Sequence, residues 1–113
     1  MKLVFVAGPY RSSSEWGVFQ NIRNAEAFAL ALWKMGLAVI CPHKNTERFG
    51  GATPDQFWLN GSLEMVRRSD AVLCVPNWEQ SEGARGEVEV AKQSGIPIFF
   101  SLNEVERWLK SQQ

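Results

Sequence analysis

Four short, continuous apolar runs constrain this chain more than any other feature: Leu3–Ala7, Leu37–Cys41, Ala71–Val75 and Ile96–Phe100. None alternates between apolar and polar residues as a strand with one wet face would. Each therefore suits a strand buried on both sides, the pattern of a parallel sheet with helices on its two faces. The segments between the runs carry the helices. Asn21 to Met35 places Ile22, Ala25, Phe28, Ala29 and Leu32 at helical spacing, with Gly36 as the C-cap residue. Thr53 reads as an N-cap, with Pro54 at the first helical position and Gln56 set for a capping box; that helix carries Phe57, Leu63 and Val66 to near Arg68. Ser81 caps a third helix running to about Ser94, with Ala84, Val88 and Ala91 on its core face. Ser101 to Glu104 forms a capping box for a fourth, with Val105, Trp108 and Leu109 inward. Residues 11–20 and 43–52 read as loops.

Four strands alternating with four helices predict one α/β domain over residues 1–113. The expected form is a flavodoxin-like three-layer sandwich, a parallel sheet of four to five strands in the order 2-1-3-4 with right-handed crossovers. Ligands in such sheets bind at the carboxyl ends of the strands where the strand order reverses, here between the first and third strands. The segments reaching that point are Gly8–Ser14, Pro76–Ser81 and, from the neighbouring strand, His43–Phe49.

Charge narrows the partners. Twelve Lys and Arg balance twelve Asp and Glu, so no electrostatic footprint for polymeric nucleic acid or a membrane surface is expected. No apolar run is long enough to span a bilayer, and no leader precedes Lys2; a cytoplasmic domain is the expectation. Cys41 and Cys74 both lie inside apolar runs, where buried thiols are expected rather than a disulfide or a metal pair.

The stretch from Asp70 to Ala91 carries the chemistry. A strand ends at Pro76-Asn77-Trp78, Ser81 caps the next helix, and Glu87 follows one and a half turns later on a different stripe from the core positions. With Gly83 and Gly86 nearby, little bulk is expected over this carboxylate. There is no Cys/His cluster for zinc, no nucleophile elbow, and no glycine pattern of a phosphate or dinucleotide loop. A single carboxylate at a cleft edge, beside hydroxyls and a helix N-terminus, suits displacement at a sugar carbon.

Gly8-Pro9-Tyr10, Ser69-Asp70-Ala71, Trp78 and the Ser81-x-Gly83-x-x-x-Glu87 spacing resemble the nucleoside 2-deoxyribosyltransferase superfamily, especially its short phage and bacterial members, and through it the 2'-deoxynucleoside 5'-monophosphate N-glycosidases. The resemblance runs over nearly the whole chain. It implies cleavage or transfer at the N-glycosidic bond of a nucleoside or nucleotide, without a cofactor or a metal, through a glycosyl intermediate on Glu87. It gives Ser81 the hydrogen bond to sugar or phosphate, Tyr10 the task of holding the nucleophile, and Arg11, Ser12, Ser13 and Ser14 the phosphate. Gly8, Pro9 and Gly83 complete the pocket backbone, with His43 and Trp78 against the ligand. Ser62 stands where the family has an aspartate that handles the leaving base, so the alternative is a catalytically silent nucleotide-binding module of the same fold. The resemblance also implies a homodimer or higher homo-oligomer, for which Trp16, Phe19, Phe49 and Trp58 offer aromatic surface.

Overall fold

The computed structural model describes residues 1–112; Gln113 lies outside them. Four parallel strands form one sheet in the order β2-β1-β3-β4: β1 (Leu3–Ala7), β2 (Ala38–Ile40), β3 (Ala71–Cys74) and β4 (Ile98–Phe99). Five helices connect and follow them: α1 (Glu15–Lys34), α2 (Pro42–Asn45), α3 (Asp55–Arg67), α4 (Glu82–Gln93) and α5 (Leu102–Ser111). This is the expected flavodoxin-like arrangement, with one short helix added at Pro42, where a loop was expected to begin at His43.

Alternate residues of the central strands feed two cores. Val4, Val6, Leu73 and Val75 pack against Ala25, Ala29 and Leu32 of α1 and Val105 of α5. Phe5, Ala7, Val72 and Cys74 face the other way, onto Val66 of α3 and Ala84, Val88 and Ala91 of α4. The period-two alternation of strands thus explains why each run had to be apolar throughout. Cys41 and Cys74 are free and buried.

The strand ends have local causes. Pro97 has no N–H to give a ladder, although its carbonyl accepts from Val72 N–H at 3.0 Å. Phe100 N–H donates instead to the Glu104 carboxylate at 3.0 Å, which also receives the Ser101 hydroxyl, so the last strand shrinks from the expected 96–100 to two residues. Asp70 joins the sheet's amino edge: its carboxylate accepts from Leu3 N–H at 2.7 Å while its own N–H donates to the Leu3 carbonyl at 2.8 Å.

Two helix starts depart from expectation. The first helix begins at Glu15, six residues earlier, because Ser14 caps it by accepting from Gly17 N–H at 3.0 Å. Conversely, Thr53 does not cap α3. Pro54 keeps an extended ψ of 146°, the helix opens at Asp55, and the Thr53 hydroxyl turns to the Pro54 carbonyl. Gln56 reaches forward to Asn60 rather than back to a cap.

Gly8, just past β1, is fixed by packing. A Cβ there would stand 2.1 Å from Val75 Cγ2, and Val75 is wholly buried. Gly8→Ala is expected to destabilise the domain by about 3 kcal/mol, the scale of overpacking a rigid core, read as a lower urea midpoint at unchanged m-value.

Candidate active site

Because α1 leaves β1 over one face of the sheet and α4 leaves β3 over the other, the two connections part at the carboxyl ends of these strands. A cleft of about 390 Å³ opens there. Its floor is Gly8, its walls come from the β1–α1 loop, α2, α3 and the start of α4, and Glu87 lies in the α4 wall.

Helix α4 is set by its cap. Ser81 accepts from Ala84 N–H at 3.1 Å, and Ser81, Gly83 and Ala84 all face the cleft. One turn beyond the first, Glu87 is only 7% exposed. This corrects the expected lightly covered carboxylate, on a helix that packs alongside α3. Burial pushes its carboxyl up to about 8, with no hydrogen bond or neighbouring cation acting to lower it. Cys74 lies beneath; burial, reinforced by the nearby Glu87 and Glu79 charges, pushes its thiol up to about 12. A thiol so held does not line the cleft and is inert rather than a second nucleophile.

The β1–α1 loop is held from three sides. Asn21 Nδ2 donates to the carbonyls of Tyr10 at 3.1 Å and Arg11 at 3.3 Å. His43 Nε2 donates to the Pro9 carbonyl at 2.7 Å, and the Tyr10 ring meets the imidazole edge-on at 5.6 Å. His43 is 5% exposed; burial lowers its pKa, and Nδ1 is buried without a partner. Third, Arg11 and Asp55 form an exposed ion pair at 2.6 Å between this loop and the start of α3.

Of the residues expected from the sequence, Gly8, Tyr10, Arg11, His43, Ser62, Ser81, Gly83 and Glu87 border the one cleft. Pro9 contributes only its carbonyl, to His43. Ser12 and Ser13 are exposed beside it, Ser12 Oγ standing 3.5 Å from Ser14 N–H. Trp78 packs on Phe100 with ring centroids 5.9 Å apart and does not border the cleft. Trp58, expected on an oligomer surface, is half-buried in the cleft wall, its ring 6.1 Å from Phe49. Asp55 and Thr46 border the cleft too, with no sequence motif to single them out. Asn21 is likewise invisible as a motif. Among the described residues no group of three or more His, Cys, Asp or Glu side chains gathers as a metal site, and no helix is long and apolar enough to cross a membrane.

No curated protein sequence matches the chain. The fold is similar to that of the 2-deoxyribosyltransferase of the psychrotolerant bacterium Bacillus psychrosaccharolyticus, with a TM-score of 0.62 and 20% identity over 85% of this chain and 69% of that one. Residues 2–100 match the family described as a domain of unknown function, DUF4406, and the chain belongs to that family.

Proposed function

We propose that the cleft breaks the N-glycosidic bond of a nucleoside or nucleoside 5'-monophosphate, with Glu87 as nucleophile. The observation that carries this reading is the buried Glu87 carboxyl in the wall of a cleft it shares with Tyr10 and the Ser81 cap. A carboxylate oxygen of Glu87 attacks C1', the bond to the base breaks, and its electron pair leaves with the base nitrogen, which takes up a proton. Water or a second base then attacks the same carbon, releases Glu87 and completes hydrolysis or transfer. Ser81 and the first N–H groups of α4 suit a sugar hydroxyl or a phosphate. Arg11 offers a guanidinium fork to the phosphate, which must exchange with Asp55 to reach it.

Ser62 lies in the wall that faces the leaving base in this reading. A hydroxyl orients a base by hydrogen bonding but is no general acid at neutral pH. Asp55 stands seven residues earlier, two turns along the same face of α3 or about 10 Å away, so it does not take the place of a carboxylate at Ser62. These two facts favour a second reading, a nucleotide-binding module without turnover.

Free base released from deoxynucleosides and their 5'-monophosphates, measured by liquid chromatography, separates the two. The enzyme reading expects release by the natural chain and at least a 10³-fold loss in Glu87→Ala. Equal release by both proteins, or none by either, discards it; stabilisation by a nucleotide without turnover establishes the binding module.

A further inference from the structure

An ion pair joins two walls of the cleft, and the proposed reaction leaves it without a task. Arg11 Nη2 meets Asp55 Oδ2 at 2.6 Å, linking the β1–α1 loop to the first turn of α3, and both residues border the cleft. Asp55 opens α3, where an acidic side chain already suits the helix dipole. Its carboxylate nevertheless reaches across to the loop, so it serves the cleft as well as its own helix.

Charge decides what this pair means for a ligand. Among the described residues, Arg11 is the only Lys or Arg that borders the cleft, and the carboxylates of Asp55 and Glu87 border it too. The Arg11–Asp55 pair sums to zero, and an ionised Glu87 takes the cleft below zero. Cations nearby are engaged elsewhere. Lys44 Nζ lies 2.7 Å from Glu26 and 3.0 Å from Glu47, and the Arg85 guanidinium donates to the Glu79 carbonyl at 2.6 Å. A 5'-phosphate, with about two negative charges at neutral pH, therefore finds its one guanidinium already held by a carboxylate. Once displaced, that carboxylate stays on the rim, because α3 fixes its backbone, and it repels the phosphate. An uncharged 5'-hydroxyl meets neither penalty. It donates to the carboxylate or accepts from the guanidinium with the pair intact, since both partners have hydrogen-bonding capacity to spare.

We propose that Asp55 sets the substrate class of the cleft: by holding Arg11, it admits the free nucleoside in preference to the nucleoside 5'-monophosphate. The proposal rests on the reading of the cleft as a nucleoside site and narrows it. Asp55 is a specificity residue and takes no part in breaking the bond at C1'. Because the pair is exposed, salt screens it, and the discrimination weakens as ionic strength rises.

Titration calorimetry at pH 7.5 tests it, with the four common 2'-deoxynucleosides and their 5'-monophosphates as probes. Thermal unfolding checks that each variant folds. In the natural chain the monophosphate binds no more tightly than its nucleoside. Asp55→Asn frees the guanidinium, and the ratio of monophosphate to nucleoside affinity rises about tenfold at low salt. At about 0.5 M salt the rise shrinks to roughly threefold. Adding Arg11→Gln to Asp55→Asn abolishes the gain, as coupling through one guanidinium requires. A natural chain that prefers the monophosphate, an unchanged ratio in Asp55→Asn, or a gain that survives the loss of Arg11 overturns the proposal. If no nucleoside binds and no base is released, the reading built on Glu87 fails separately, and inorganic phosphate decides the role of Asp55. Tighter phosphate binding by Asp55→Asn than by the natural chain supports its hold on Arg11; equal binding overturns it.

Discussion

Replacing Glu87 by glutamine raises the melting temperature at pH 9 by on the order of 20 °C and leaves it nearly unchanged at pH 4. The carboxyl titrates at about 8 in the folded chain, against an ordinary value of 4.5. Between those two values the folded state holds a proton that the unfolded state has lost, so stability falls as pH rises through this window. Below 4.5 both states are protonated and the group costs nothing; above 8 the whole cost, roughly 5 kcal/mol, is present. Glutamine has the shape of the protonated acid and no titration, so it removes the slope. Thermal unfolding of both proteins from pH 4 to pH 9 measures the effect. Parallel curves would mean that Glu87 gains solvent or a partner that this structure does not give it. A fold that carries such a cost points to a use for the group beyond stability.

The second large effect is on rate and rests on the proposed reaction. Only the ionised carboxylate attacks, so kcat/KM for base release is expected to rise about tenfold per pH unit from pH 6 and to level off above about pH 8, the value set by burial. Initial rates at substrate concentrations well below KM report the free enzyme directly. A profile flat from pH 5 to pH 8 assigns the nucleophile elsewhere.

Sheet order and helix sequence were legible because every central strand is buried on both faces, so each had to be apolar throughout. The start of α1 was not. Its first turns expose Trp16 and Phe19 and add only the half-buried Val18 to the inward stripe, so the one further signal was a serine within a run of serines. The α3 cap failed for the opposite reason: Thr-Pro has the right residue types, but Pro54 remains extended and the threonine hydroxyl turns to its carbonyl. For the cleft, the helical wheel gave Glu87 its stripe, while its burial depends on packing between elements, which no spacing within α4 reveals. Asp55 and Trp58 reach the cleft through the same packing and carry no local signature.

The sheet terminates in β2 on one flank and β4 on the other, with three and two residues respectively. A border that short offers an incoming peptide only a few unpaired amides and carbonyls, too little backbone to template a foreign ribbon. Fibril growth by strand addition is therefore closed off at both margins, and contacts between molecules are left to the side chains of the surrounding helices.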